Sequence, residues 1–324
     1  MVRIFKRLCT IRTLFRLLAS LGGERPQHDQ CIKRTVDKAD GPKDLIEQTR
    51  LSAASYFCRK KLETYLVRRS NSTTERLFRA AGISAGMTVL ELGCGPGEIS
   101  ELLSEIVGPA GSVLAVDRSD KMLSAAQETL EKAGKKNVRF VRADLSAALV
   151  YLKAVDRASF DAVAGRRVLM YLASPDRVLA GLLPWLQAGG LAVFEEADST
   201  ICPGHVATMP AHERGVSLLT KMLGEEGVDR SMGFHLPATF SAAGLQFEQV
   251  WAEAVIEGQG EQYPLADLLR LLQPRLESSD VVTTSELESL IAQIEMERKP
   301  TDVFVSGMRF CAKARKGEDL GGNP

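Results

Sequence analysis

The sequence lacks several features that would place a protein in a simple class. Its six cysteines lie far apart without a CxxC pair, which excludes a disulfide framework and argues against a zinc site. Its 41 basic and 41 acidic side chains cancel, so the whole molecule has no electrostatic footprint for nucleic acid or an anionic membrane. The longest uncharged run, 178–194, is broken by Pro184 and Gly189–Gly190 and is too short to span a bilayer. We therefore expect a soluble protein of a reducing compartment, with no bound metal and no transmembrane segment.

The first 21 residues depart from this charge balance, because they carry five basic residues and no acidic one. Their apolar residues, from Ile4 to Leu18, recur on one helical face, and Arg12 and Arg16 interrupt the apolar core that a secretory signal needs. The segment fits a docking helix or a mistaken start site, and otherwise a mitochondrial import signal if the source is eukaryotic. The expected location is cytoplasmic. Residues 22–43 are polar, contain Gly and Pro, and predict a linker, so we describe 1–43 as a basic amphipathic segment and linker.

From residue 44 onward, helical and strand patterns alternate. Strands are predicted at Val89–Leu92, Ser112–Val116, Val138–Val141, Phe160–Ala164, Leu191–Phe194, Phe247–Val255 and Asp302–Ala314. Helices are predicted at 44–67, 73–81, 97–107, 119–133 and 175–187, and over most of 203–300. This alternation predicts an α/β fold with an open, doubly wound, mostly parallel sheet, whose last strand is antiparallel.

The stretch ELGCGPG, residues 91–97, follows the first predicted strand, where open α/β sheets bind their ligands. A dinucleotide site needs G-x-G-x-x-G; Gly93 and Gly95 match, but the third position is Glu98. A carboxylate there would repel a pyrophosphate at the helix N-terminus, and no Gly-Lys-Ser/Thr follows for a nucleoside triphosphate. The turn therefore favours a ligand without a diphosphate, and NAD is not expected.

Acidic residues end the next two strands. Asp117, in VLAVDRS, can accept hydrogen bonds from both hydroxyls of a ribose. Asp144, in VRADL, can accept from an adenine amine, or else cap a helix at 145–153. Met122 fits a contact with the purine face or ordinary core packing. Ribose and adenine without a diphosphate describe an adenosine that carries an amino-acid tail.

Five motifs in consistent order, VLELGCGPG, VLAVDRS, VRADL, FDAVAGRRVLMYL and LQAGGLAVFEE, resemble the class I S-adenosylmethionine-dependent methyltransferases over about residues 73–200. The resemblance is to the ubiquinone/menaquinone-type small-molecule subgroup. It implies a Rossmann-like methyltransferase fold of seven strands and S-adenosyl-L-methionine as cofactor. The cofactor contacts that follow from it are Glu91, Gly93, Gly95, Gly97, Asp117, Arg118, Met122, Asp144, Leu145 and Arg166, with Gly165–Arg166 meeting the methionine amino group.

The resemblance also sets the expected domain layout. The methyltransferase domain is expected over 44–316, with helical cap segments at 44–82, 201–243 and 262–299 and a disordered tail at 317–324. Apolar residues recur at helical spacing in 201–236, so we expect this segment to form a lid over the methyl-donor end.

No constellation of catalytic residues is evident. Tyr171, which follows the fourth predicted strand, and His205 and His235 are weak candidates. Glu195, Glu196 and Asp198 follow the fifth predicted strand, and His212 lies with the other two histidines in or beside the helical insertion. Arg166 or Arg167 is a candidate salt-bridge partner for Glu195 or Glu196.

The expected function is methyl transfer to a small, partly apolar metabolite by a monomer or homodimer, with the acceptor atom (O, N, C or S) left open. Nucleic acid is not expected as a partner. An RNA or protein methyltransferase is the alternative, for which basic residues at 59–61 and 68–69 leave room. A non-catalytic S-adenosylmethionine-binding subunit is the second alternative, although the glycine turn is retained.

Overall fold

The computed structural model describes residues 71–145, 159–198, 200, 208–257, 265–278, 281–299 and 301–318. The chain divides into two units, Met1–Leu66 and Val67–Pro324, and every described residue belongs to the second. The predicted N-terminal segment and linker, the predicted helix 44–67, His205 and most of the predicted helix 145–153 lie outside the described residues.

The strands of the described chain are β1 Thr88–Leu92, β2 Ser112–Asp117, β3 Val138–Arg142, β4 Phe160–Arg166, β5 Leu186–Asp198, β6 Gln246–Glu257 and β7 Phe304–Arg315. The helices are α1 71–81, α2 Glu98–Val107, α3 Asp120–Lys132, α4 Pro175–Leu182, α5 Pro210–Glu225, α6 Met232–Ala242, α7 Leu265–Ser278 and α8 Thr284–Glu297. Two short 3₁₀ turns, Leu169–Tyr171 and Leu183–Trp185, flank α4.

The strands form one seven-stranded sheet in the order β3-β2-β1-β4-β5-β7-β6. β1 to β5 are parallel to one another, whereas β7 is antiparallel to both β5 and β6. The predicted fold, including the antiparallel last strand, is therefore confirmed. Strand order reverses at β1, because β2 lies on one side of it and β4 on the other. The carboxyl ends of β1 and β4 therefore border the crevice where such sheets bind ligands.

Both faces of the sheet are covered by helices, which explains why its central strands are apolar on both sides. Val89 of β1 packs in a layer with Phe78 of α1 and Leu103 of α2. Leu90, the next residue, points to the other face and packs in a layer with Leu179 of α4 and Phe240 of α6. Alternate side chains of one strand thus supply two separate cores, as the period of two requires.

The predicted boundaries between α4 and β5 were wrong. The helix ends at Leu182 rather than at residue 187, and the strand extends from Leu186 to Asp198 rather than from Leu191 to Phe194. Pro184 explains the helix end, because it has no N–H to donate to the preceding turn; Leu183 keeps helical dihedral angles, and the chain continues as the 3₁₀ turn Leu183–Trp185. The longer strand places Glu195, Glu196 and Asp198 inside the sheet, where all three are buried.

Helices α5, α7 and α8 pack against one another around an apolar cluster, which we call the three-helix cluster. Its buried side chains include Met209, Met222, Leu269, Leu287, Ile294 and Phe304. Val216, Leu219 and Leu223 are partly buried against it, so the spacing correctly predicted one buried face of α5. Within the described ranges, every helix is too short or too polar to cross a lipid bilayer.

Candidate cofactor site

The turn after β1 holds three glycines in the left-handed region, at φ 65° for Gly93, 52° for Gly95 and 90° for Gly97. Glycine adopts this conformation without the steric cost that a Cβ brings. A Cβ on Gly97 would lie 2.8 Å from the Cα of Ala126 in α3, and one on Gly93 would lie 2.5 Å from Val168 Cγ2. A Cβ on Gly95 would meet nothing within 4 Å. Gly93 and Gly97 therefore permit close packing of the protein, while Gly95 borders open space.

Asp117, at the end of β2, is fixed to this turn by its own carboxylate. Its Oδ2 accepts a hydrogen bond from the Gly95 amide at 3.0 Å, and its Oδ1 accepts from the Ser119 amide at 2.9 Å. Each carboxylate oxygen has a second lone pair, so Asp117 retains acceptor capacity for a ligand. The Asp117 carbonyl accepts from the Ala143 amide at 3.0 Å, which keeps the ends of β2 and β3 adjacent.

A cavity of about 250 Å³ opens beside this turn. Its lining residues are Gly93, Asp117, Arg118, Ala143, Asp144, Leu145, Arg167, Val168, Tyr171 and Leu172. They come from the ends of β1, β2, β3 and β4, as expected at the reversal of strand order. Of the predicted cofactor residues, the cavity brings together Gly93, Asp117, Arg118, Asp144 and Leu145.

Two other predicted cofactor residues are buried away from the cavity lining. Glu91 is 1% exposed and accepts a hydrogen bond from Ser100 Oγ at 2.6 Å. Burial raises the pKa of its carboxyl to about 7. Arg166 is also buried, and desolvation lowers the pKa of its guanidinium to about 10. Neither residue is among those that line the cavity.

Arg166 is the last residue of β4 and belongs to a buried polar network. It donates to Glu98 at 2.8 Å, to Asn71 at 2.9 Å and to Thr74 at 3.2 Å. The contact with Glu98 weakens the expected repulsion between this carboxylate and a pyrophosphate at the helix N-terminus. Because Glu98 is paired with a cation, it repels a pyrophosphate less than an isolated carboxylate would.

Met122 lies at the start of α3, where its amide donates to Ser119 Oγ at 3.3 Å. Its side chain is half-buried and is not among the described residues that line the cavity.

The turn after β4 supplies cavity residues that the sequence analysis did not assign to the cofactor. Arg167 has a positive φ of 51°, which is uncommon for a residue with a side chain, and it lies exposed at the cavity. The amides of Val168 and Leu169 donate to Oε1 of buried Glu196, at 3.0 and 2.8 Å. Arg167, Val168 and Leu172 directly follow a central strand, and that position alone would have indicated them.

Of the candidate catalytic residues that the structure describes, Tyr171 lines the cavity and His235 does not. Tyr171 lines the cavity and is 54% exposed. His235 is exposed in the first turn of α6, with Nδ1 2.7 Å from Asp229 Oδ2, and the Asp229 amide donates to the Met170 carbonyl at 2.9 Å. His235 is thereby linked to the residue before Tyr171, but it does not line the cavity. His205 lies outside the described residues.

His212 is buried in the three-helix cluster, 2% exposed, with its ring stacked on Phe304 at 4.9 Å. Its backbone amide donates to Glu297 at 2.9 Å. In this position the ring packs as part of the core. Among the described residues, no group of three or more His, Cys, Asp or Glu side chains could hold a metal ion.

The sheet order, the left-handed glycine turn and the acids at or just beyond the ends of β2 and β3 define a Rossmann-like domain with an acid-lined crevice where the strand order reverses. Residues 83–227 match the family model described as a methyltransferase domain. This part of the chain is therefore a methyltransferase domain of the S-adenosylmethionine-dependent class, and the predicted class and cofactor are confirmed.

Two curated relatives illustrate the similarity. A malonyl-[acyl-carrier protein] O-methyltransferase of Paenibacillus sp. is 28% identical over 158 residues, which are 48% of this chain and 55% of that protein. A demethylmenaquinone methyltransferase of Lactococcus lactis is 31% identical over 128 residues, which are 40% of this chain and 49% of that protein. The chain thus spans about half the length of these relatives.

Among solved structures, a SAM-dependent methyltransferase from Aquifex aeolicus aligns with a TM-score of 0.42 and 16% identity. The alignment covers 75% of this chain and 88% of the other.

The lining of the cavity fits the cofactor of this class. Two carboxylates, Asp117 and Asp144, lie in one cavity, and carboxylate oxygens can accept hydrogen bonds of the kind that ribose hydroxyls and an adenine amine donate. Open space at Gly95 leaves the backbone of the turn accessible to a ligand.

Proposed function

We propose that the protein transfers a methyl group from S-adenosylmethionine to a small, partly apolar metabolite. The observation that carries the proposal is the cavity, which joins Asp117 and Asp144 to a rim of Tyr171 and Leu172. Two acids favour the nucleoside part of the cofactor, whereas an aromatic and an aliphatic side chain favour a compact apolar acceptor.

The names of the two relatives support a metabolite acceptor, since one is named for a malonyl group on a carrier protein and the other for demethylmenaquinone. One of them is an O-methyltransferase by name, whereas the name of the other gives no acceptor atom. The proposal therefore leaves the acceptor atom open. The basic residues at 59–61 and 68–69, which left room for an RNA or protein acceptor, lie outside the described residues.

We assign the residues of the site as follows. Asp117 holds the ribose, Asp144 the adenine amine, and the backbone beside Gly95 admits the amino-acid tail. When bound, S-adenosylmethionine supplies a methyl group that forms a bond to the acceptor's lone pair while the carbon–sulfur electron pair returns to sulfur. The protein's main task is to hold the acceptor in line, and Tyr171, which lines the cavity, would pack against it.

A base is needed only when the acceptor must lose a proton. The described candidate for that role is His235, because Asp229 orients its ring at 2.7 Å and the Asp229 amide is hydrogen-bonded to the turn that carries Tyr171. Since His235 does not line the cavity, it would act only on an acceptor that extends beyond the lining residues. An acceptor that already has a free lone pair would not require it.

Two measurements test the proposal. Titration calorimetry should show binding of S-adenosylhomocysteine and no binding of NAD, and tighter binding of NAD would refute it. Incubation with methyl-deuterated S-adenosylmethionine and fractionated cell extracts should then label a small molecule. Label only in RNA or protein would favour the first alternative, and cofactor binding without any labelled product would favour a non-catalytic subunit.

A further inference from the structure

Glu196 is a fully buried carboxylate directly behind the wall of the cavity. It is 0% exposed, and its Oε1 accepts from the amide of Val168, a lining residue, at 3.0 Å. Val168 also packs tightly on the glycine turn, as the 2.5 Å approach of its Cγ2 to a Cβ on Gly93 shows. Glu196 is therefore hydrogen-bonded directly to the backbone of a residue that lines the cavity.

The second oxygen of Glu196 is the unexplained feature. Its Oε2 is buried and has no hydrogen-bond partner among the described residues. A buried acceptor left without a donor is costly, so its retention calls for an explanation beyond holding the turn. The amides of Val168 and Leu169, together with the backbone of Met170, already hold the turn on Glu196. A neutral glutamine offers an acceptor oxygen for the same amides, with weaker hydrogen bonds than a carboxylate makes.

Full burial keeps this carboxylate out of contact with solvent, so its field is weakly screened. Phe310 is its register partner on β7, and Gly233 of α6 packs on that ring. Burial raises the pKa of Glu196 to about 7, and Arg167 is the charged side chain that opposes this rise. Near neutral pH, a cation in the cavity would therefore favour the ionised form.

We propose that Glu196 acts through the cavity wall as a negative charge that favours the cationic cofactor over its neutral product. The inference rests on the proposed function, since S-adenosylmethionine carries a positive sulfur and S-adenosylhomocysteine does not. Loss of that charge on transfer removes the attraction to Glu196, and the spent cofactor is bound less tightly. Glu196 is thus a residue that determines ligand preference, without touching the ligand.

The test compares two dissociation constants in each of three proteins at about pH 8, by titration calorimetry. In the wild type, Glu196→Gln and Glu195→Gln, the ratio of the dissociation constant of S-adenosylhomocysteine to that of S-adenosylmethionine is measured. We expect Glu196→Gln to lower this ratio about tenfold, equivalent to about 1.4 kcal/mol. Glutamine keeps the acceptor for both amides, so the turn itself should remain in place.

Glu195→Gln is the matched control, because Glu195 is the next residue on the same strand and is equally buried, at 2% exposure. Its side chain points to the other face of the sheet, where Oε1 lies 3.8 Å from Arg309. The ratio should stay within about twofold of the wild-type value in this variant. An equal fall in both variants would overturn the proposal.

A merely structural role for Glu196 would weaken both ligands alike and leave the ratio unchanged, and that result overturns the proposal. If the wild type bound neither ligand, the proposed function would fail together with this inference. Binding of both ligands with an unaltered ratio in Glu196→Gln would reject only the inference. If Glu196→Gln does not fold, the affinities of the wild type for three ligands provide the test. It must then bind S-adenosylmethionine and sinefungin, whose protonated amine replaces the sulfonium, at least about threefold more tightly than S-adenosylhomocysteine. Equal binding of the three would overturn the proposal.

Discussion

Replacing Asp117 by alanine should weaken binding of S-adenosylhomocysteine by about 1.5–3 kcal/mol, the range for a lost hydrogen bond to a charged group. The structure adds a second effect, since the carboxylate also accepts from the amides of Gly95 and Ser119. Alanine removes both of these contacts and loosens the glycine turn. Asp117→Asn keeps one acceptor oxygen, so its loss of affinity should be smaller.

The matched control for Asp117 is Asp120→Asn, three positions along the chain. Asp120 pairs with Arg142 at 3.1 Å, and its side chain is 70% exposed. A surface pair of this kind contributes at most about 1 kcal/mol, and the affinity of this variant should match the wild type. Titration calorimetry gives the affinities, and circular dichroism checks that each variant is folded. A folded Asp117→Ala with wild-type affinity would remove Asp117 from the site and refute the assignment.

Three further predictions concern stability. Glu91 has a raised pKa of about 7 against an ordinary value of 4.5; the unfolded chain therefore loses this proton first as pH rises. The stabilisation that the folded state gains from this pKa difference is complete below about pH 4.5 and is lost by about pH 7. The free energy of unfolding should therefore fall by about 3 kcal/mol over this range, and Glu91→Gln should abolish that fall. Gly97→Ala should cost at least about 2 kcal/mol, because φ is 90° and the new Cβ would meet α3 at 2.8 Å. Gly134→Ala, at φ 67° in open space, should cost about 1 kcal/mol. His212→Ala should cost about 2 kcal/mol or more, since the ring is buried, whereas His235→Ala should cost at most about 1 kcal/mol.

Urea denaturation measures all three stability predictions. For Glu91, the difference in unfolding free energy between about pH 5 and pH 7.5 should be smaller in the glutamine variant, and identical differences would contradict the assignment. Equal costs at Gly97 and Gly134 would mean that the close approach to α3 is relieved without strain. A larger cost at His235 than at His212 would mean that the burial of His212 does not contribute to the fold.

The segment 201–236 was expected to close over the methyl-donor end. Residues 201–207 lie outside the described residues, and α5 packs in the three-helix cluster rather than on the cavity lining. The lid remains a prediction. Protease cleavage within 208–236 should slow when S-adenosylhomocysteine is added; unaltered cleavage would contradict it.

The sequence by itself determined those features of this protein that depend only on residues adjacent along the chain. The turn after β1 needs glycine because three positions take a left-handed backbone conformation, and Asp117 ends its strand whatever surrounds it. The alternation of strands and helices was sufficient to predict a doubly wound sheet, because parallel strands require crossover connections.

Only the tertiary structure decided which side chains meet across that framework. Arg166 binds Glu98, 68 positions away, and no local pattern specifies such a pair. Glu196 was expected after strand five, yet β5 continues through it because β7 supplies an antiparallel partner from Leu191 to Asp198. Its burial beneath the 168–169 turn follows from that pairing. Contacts between distant segments set the burial and pKa of such groups, so the sequence predicted the position of the site but not the charges behind its wall.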